Sequence, residues 1–446
     1  MADQSDRPLR AAEKRPLRVR LLGGLVVFIT TLYCGAKRRT GEGRGSASTG
    51  LYPELSVLRF SEGVSPALAD RIGRMAALLP SFAVTQKELA TEGVDLNVKE
   101  VHRIATQLGA EIVTTRRRDL LSYRKGMMTA GLEFQGKRIG VAIDGGRTRI
   151  RTLIRRQKGK GKKRRRRKWK LEWREPKVFI LFELDDNGRM KANTRPLIEA
   201  TFQGPNECCE LLAMRLHQMG AAQAKEVVFL ADGAPWIWER LAWIEQRVGL
   251  KSKRVVRVLD FCHAVHHLSL ALKGMKLSDS EYQQLYTELR KKLKAGRAND
   301  VTAELSMRAE AAGVPSESTV WTDIRYLENH AERGHMKYRE LRRRGLPMGS
   351  GAIESAIRRV VNLRLKGNGI TWYEENAEGM LALRAAVLTG RWSAVLEHVR
   401  ESMSRDRSLG WEWTSPDLPA ELKSGKEIRP PCAKSLAEQG ELGQAA

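Results

Sequence analysis

Three carboxylates in this chain stand where chemistry could use them: Asp144, Asp232 and Glu354. Asp144 closes the run Arg138-Ile139-Gly140-Val141-Ala142-Ile143, and Asp232 closes Glu226-Val227-Val228-Phe229-Leu230-Ala231, so each reads as the last residue of an apolar strand. Glu354 lies in the first turns of a helix opened by Gly349-Ser350-Gly351, with Ser350 as its expected cap; Arg358, Arg359, Arg364 and Lys366 follow. Each acid also has an ordinary reading. Asp-Gly, at Asp144-Gly145 and Asp232-Gly233, is a strong turn signal, and an acid near a helix N-terminus complements the macrodipole. Taken together they suit a different task. Carboxylate oxygens are the ligands that Mg²⁺ or Mn²⁺ prefers. Two such ions about 3.5–4 Å apart stabilise the attacking and leaving oxygens of an in-line phosphoryl displacement.

The strands that must present these acids follow from the order of elements. The spacing predicts strands at Arg138–Asp144, Lys177–Leu184 and Arg195–Phe202, a helix over Asn206–Met219, a strand over Glu226–Asp232, a tryptophan-bearing helix over Pro235–Arg247, a strand over Val255–Leu259, and a helix carrying His263, His266 and His267. Strands joined by turns want antiparallel neighbours, whereas strands separated by helices want parallel crossovers. In such a mixed sheet the fourth strand can lie along the first, and Asp144 and Asp232 would then emerge side by side. Glu354 must come from later in the chain. Glu375 and Glu378, on a helix over Trp372–Leu388, are alternatives to it as third acid.

Composition says what the partner would be. The chain has 446 residues and a formal charge of +27, with 79 Lys+Arg against 52 Asp+Glu. Such an excess calls for a polyanion, nucleic acid before an anionic membrane surface. Between residues 155 and 170, twelve of sixteen residues are basic and none is acidic, a density suited to a solvated loop or to phosphate. Five cysteines, with no framework spacing, point to a reducing, cytoplasmic compartment. The apolar stretch from Leu21 to Cys34 is divided by Gly23-Gly24, which predicts a β-hairpin rather than a targeting segment. The first 17 or so residues are expected to fray.

Beyond a Gly/Ser/Arg-rich connector, Ser65-Pro66 opens a helix, and Thr85-Gln86-Lys87-Glu88 and Asn97-Val98-Lys99-Glu100 read as capping boxes of two more. Helix, turn and helix, with Lys99, His102 and Arg103 on the last, are compatible with a helix-turn-helix DNA reader or with a plain three-helix bundle. The expected organisation is a hairpin and basic linker over 1–50, a helical DNA-binding domain over 51–130, a strand-rich core over 131–276, a helical insertion over 277–345, C-terminal core helices over 346–413, and a disordered tail over 414–446.

Four ordered blocks make the pattern specific: Ile143-Asp144-Gly145-Gly146-Arg147-Thr148, Ala231-Asp232-Gly233-Ala234-Pro235-Trp236, Leu259-Asp260-Phe261-Cys262-His263 and Gly349-Ser350-Gly351-Ala352-Ile353-Glu354-Ser355. In these the chain resembles the DDE transposases of bacterial insertion sequences, in the Mutator-like group of the ISKra type, from about Ser46 to Trp413. The resemblance implies an α/β, RNase H-like mixed-sheet catalytic domain with an all-helical insertion between the second Asp and the Glu. The acids are 88 and 122 residues apart, which accommodates one. It implies Asp144, Asp232 and Glu354 as the catalytic, metal-binding triad with two Mg²⁺ or Mn²⁺ ions, and Asp260 and His263 as a signature near the site. It further implies binding of double-stranded DNA, both terminal inverted repeats and target, as a homodimer or larger assembly. Arg147, Arg149, Arg164, Arg165, Arg166, Arg167, Lys168, Arg358, Arg359, Lys366, Lys99 and Arg103 are the expected DNA contacts. Zinc is not expected: only Cys34 falls in the N-terminal region, and Cys262, His263, His266 and His267 read as polar packing without a second ligand pair. The rival readings are a nuclease or resolvase without strand transfer, and a DNA-binding protein without catalysis.

Overall fold

The computed structural model describes residues 9–36, 52–60, 63–154 and 169–408. The expected connector, the densest part of the basic run and the expected tail lie outside them. The chain opens with an antiparallel ribbon of β1 (Leu9–Arg20) and β2 (Val26–Ala36), turned at Gly23-Gly24. β1 starts well inside the stretch expected to fray, because its backbone pairs as far as Leu9 with Ala36. The helices α1 (Pro53–Val57), α2 (Pro66–Leu78), α3 (Phe82–Thr91) and α4 (Val98–Arg124) follow. Ser65 caps α2, and Asn97 with Glu100 forms the expected capping box of α4. The box expected at Thr85 is not formed: Ser81 caps α3, and Thr85 is buried inside it. Leu68, Ile72, Leu89, Leu96, Val101 and Ile104 close a small core here, and Arg20 reaches Glu100 at 3.0 Å to fasten the ribbon to it.

The main sheet has five strands among β3 (Arg138–Gly145), β4 (Thr148–Leu153), β5 (Trp169–Arg174), β6 (Lys177–Glu183), β7 (Leu197–Thr201), β8 (Glu226–Ala231) and β9 (Val255–Leu259). Its order is β7-β6-β3-β8-β9; β6 is antiparallel to β3 and β7, while β8 is parallel to β3 and β9. This is the mixed α/β arrangement that the spacing predicts. β4 and β5 form a separate antiparallel ribbon that the sequence reading did not foresee. β3, β6 and β8 are buried almost throughout, as their unbroken apolar runs require. α5 (Pro205–Gln218) connects β7 to β8, α6 (Pro235–Val248) connects β8 to β9, and α7 (Phe261–Gly274) follows β9.

Four helices, α8 (Asp279–Lys294), α9 (Ala298–Ala311), α10 (Thr319–Glu332) and α11 (Tyr338–Arg343), then separate the sheet from α12 (Gly351–Ile357), a π-helical turn (Arg358–Asn362) and α13 (Leu363–Leu365). α14 (Glu374–Leu388) and α15 (Trp392–Ser408) complete the described chain. α14 is buried from Ala377 to Ala386, so it is a central helix and not an exposed acidic face. It crosses α4 where Gly109 faces Gly379; a Cβ on Gly109 would lie 2.7 Å from the Gly379 backbone, so only glycine permits this approach. Below the crossing a buried ion network joins the layers. Arg116 pairs with Glu199 at 3.2 Å and with Glu378, and Arg215 also holds Glu199. Among the described residues, no helix is long and apolar enough to cross a membrane.

Candidate active site

The sheet register places the two aspartates. Ile143 on β3 pairs in parallel with Ala231 on β8, so the next residue on each strand is Asp144 and Asp232. Asp144 accepts the Gly145 N–H at 2.6 Å, and Asp232 accepts the Ala234 N–H at 3.0 Å. Partial burial pushes the Asp144 carboxyl up to about 6, and the charges of Asp232 and Glu175 add to the push, while the Gly145 N–H and His263 oppose it. Glu175 was not singled out in the sequence. It precedes β6, whose Lys177 pairs with Gly145, and its side chain lies over Gly145: a Cβ there would strike the Glu175 carboxylate. The signal was available in the antiparallel register but not in local composition.

Asp260 is only 1% exposed and ties two elements of the site together. It caps α7 by accepting the His263 N–H at 2.9 Å, and it accepts the Ser350 N–H at the start of α12. Phe261 N–H donates to Met348 O at 2.9 Å, and Asp260 N–H to Ala231 O at 2.9 Å, so the end of β8, the start of α7 and the turn before α12 are stitched at one point. Ser350 is therefore held through its backbone; its side chain makes no capping bond to α12. α12 packs on β3 and β6, and Glu354 on it is exposed. Glu354 comes within electrostatic reach of Cys262, on the first turn of α7, where Asp260 and Glu354 both hold the thiol above its ordinary value after burial does so. His263 Nδ1 is buried without a hydrogen-bond partner and stands 4.0 Å from Asp260. Tyr326 donates to Asp232 O at 3.5 Å and lies against Gly233, whose φ of +52° and lack of Cβ make room for the ring.

The alternative third acids separate. Glu378 is buried and used up by Arg116, by Thr201 Oγ1 at 2.7 Å and by Phe202 N–H at 2.7 Å, so it is structural. Glu375 is exposed at the start of α14. Among the described residues, no three His, Cys, Asp or Glu side chains converge on one point as a finished metal site does.

The expected DNA contacts divide by exposure. Arg147, Arg358, Lys366, Lys99 and Arg103 are exposed; Arg149 and Arg359 are half-buried. Arg164, Arg165, Arg166, Arg167 and Lys168 lie outside the described residues. Arg364, grouped in sequence with the basic face of the Glu354 helix, is instead buried, stacked 4.6 Å from Phe82 and 5.1 Å from Trp372. Burial lowers its guanidinium to about 10. The π-helical turn after α12 breaks the helical phase on which the grouping rested. His267 Nδ1 bonds Asp323 at 2.7 Å and its ring stacks on Tyr326, so this histidine packs beside the strand ends.

Compared with known proteins, the chain matches no family model, no curated protein and no solved structure.

Proposed function

We propose that this protein is a DDE transposase: it binds the ends of a mobile element, cleaves a phosphodiester there, and joins the resulting 3′-OH to target DNA. The observation that carries the reading is the parallel β3–β8 register, which sets two aspartates side by side in a protein of charge +27. The sheet order, with one antiparallel strand inserted between β7 and the parallel set, supports an RNase H-like core, and the four helices before α12 correspond to the expected insertion. The capped, exposed start of α4 supports a DNA-reading helix.

The donor chemistry fits a hard divalent cation. A carboxyl pushed up by burial and by a like charge is one whose ionised form a cation would relieve. Asp144 and Asp232 would hold it, with Glu354 as third acid by resemblance and Glu175 as an additional carboxylate at the same edge. When bound, such ions supply charge neutralisation at phosphorus and activation of the attacking oxygen. The chain's own groups do the rest. Asp260 fixes the angle of α12, and hence of Glu354, while Arg147 and the neighbouring cations hold the phosphodiester backbone.

The test is cleavage and strand transfer of terminal-repeat DNA with Mg²⁺ or Mn²⁺. Asp144→Asn, Asp232→Asn and Glu354→Gln should each lower the rate by 10³-fold or more, and Glu175→Gln by much less. Wild-type activity no greater than that of Asp144→Asn would refute catalysis; cleavage without joining would favour a nuclease.

A further inference from the structure

The β4–β5 ribbon carries a face of arginine, leucine and tryptophan that is anchored at one end, where the half-buried Trp169 packs edge-on against Tyr373, and open at the other, around Trp173. Antiparallel pairing sets Arg149 opposite Trp173, Arg151 opposite Leu171 and Leu153 opposite Trp169, so these six side chains share one face. The other face is the packed one at its start, where Thr148 and Ile150 are buried; along its edge β4 pairs with the Trp372 backbone at Arg149 and Arg151. On the outer face Trp173, Leu171 and Leu153 remain 49%, 50% and 45% exposed. Arg147 and Arg149 lie over the Trp173 ring at 5.1 and 5.9 Å, and Arg151 lies over Tyr373 and Trp169 at 4.5 and 5.3 Å, with its Nε buried and unpartnered.

An apolar protein partner would have to desolvate three guanidiniums here without compensation. A duplex presents phosphates, but its base faces are hidden in the stack. Unpaired nucleotides satisfy both halves of the surface, because their phosphates meet arginine and their exposed rings meet tryptophan. The ribbon also begins four residues after Asp144, so a strand lying on it runs past the acid edge. We propose that the outer face of the β4–β5 ribbon is a binding platform for unpaired DNA, stacking bases on Trp173 and Trp169 beside the site of strand cleavage. The proximity to cleavage rests on the proposed function; the base-stacking surface does not.

The full chain in EDTA, where no cleavage can occur, is titrated with a fluorescent 20-nucleotide dT strand, the same strand carrying abasic sites, and a 20-base-pair duplex. Wild type should bind the dT strand about tenfold more tightly than the abasic one. Trp173→Ala with Trp169→Ala should erase that difference while changing duplex affinity less than twofold, and Trp173→Phe should keep most of it. Equal affinity of wild type for dT and abasic strands overturns the proposal without needing any variant, as does an equal loss on duplex. A shift in oligomeric state without loss of dT binding would mean that the face meets a second copy, and also overturns it. Base-dependent binding in a protein that never cleaves would sink the transposase reading alone; cleavage with base-independent binding would sink this one alone.

Discussion

At the scale of single residues, the site is defined by groups placed against their own preference. Asp144 is the clearest. Its folded carboxyl, at about 6 rather than 3.8, holds its proton more tightly than the unfolded chain does. The associated stability is therefore fully present below about pH 3.8 and is lost as pH rises through about 6. Above that range the ionised form opposes folding unless a cation balances it. Without metal at pH 7.5, Asp144→Asn should melt at a higher temperature than wild type, and the gap should close near pH 4. Mg²⁺ should raise the wild-type melting temperature and leave the variant unmoved. Thermal melts across pH 4–8 in EDTA and in Mg²⁺ check both signs; a variant less stable than wild type at pH 7.5 in EDTA would mean that Asp144 is a structural turn residue. Asp260 is the opposite case, buried with its demands met. Asp260→Asn confronts the Ser350 N–H with another donor, which should cost about 1–3 kcal/mol of stability. It should also lower turnover by misplacing Glu354, with little effect on DNA affinity. A normal turnover number in the folded variant would show that α12 is positioned by other contacts.

Elements were legible in proportion to how much of their pattern was local. β3, β6 and β8 announce themselves as apolar runs, and their connections permit the parallel pairing of the Asp144 and Asp232 strands that the register shows. The β4–β5 ribbon escaped although Thr148-Arg149-Ile150-Arg151-Thr152 alternates β-branched residues with arginine as a half-buried strand does, because the stretch is short and its mate lies across the basic run. Glu378 could not be excluded from sequence, since the Arg116 that consumes it is 262 residues away. Asp260 could be marked only as near the site, because its bond to Ser350 spans 90 residues. The α4–α14 crossing is another such long-range fact, and it reverses a local rule. Alanine is better than glycine in a helix by about 1 kcal/mol. At Gly109 the added Cβ would meet backbone at 2.7 Å, an overpacking that costs roughly 1–3 kcal/mol. Gly109→Ala should thus lower the unfolding midpoint in denaturant, and Gly379→Ala, whose nearest contacts begin at 3.1 Å, should lower it less. An increase for Gly109→Ala would show that the two helices separate readily.

For the whole molecule the governing quantity is charge. Basic groups occur on several elements that meet around one region: His102, on the first turns of α4 with Lys99 and Arg103, is held below its ordinary value by burial and then by Arg364 and Arg151. That places the start of α4 near the β4 strand, whose continuation enters the basic run. Nucleic acid bound across such a surface releases counterions, and the slope of log affinity against log salt counts the phosphates neutralised, at about 0.9 per contact on a duplex. Replacing the eleven Lys and Arg of positions 155–168 by serine removes eleven positive charges while leaving Trp169 and Lys170 in β5. If the run lies on phosphate, the slope measured between about 50 and 200 mM salt should flatten by several units. Affinity should fall steeply at low salt and hardly at all at high salt, where the screening length is already short. The ratio of dT to abasic binding should be preserved, because it reads the stacking face and not the run. An unchanged slope would mean that the positive charge of positions 155–168 does not meet phosphate, leaving the proposed DNA contacts to α4, the ribbon and the exposed Arg358 and Lys366 that follow α12.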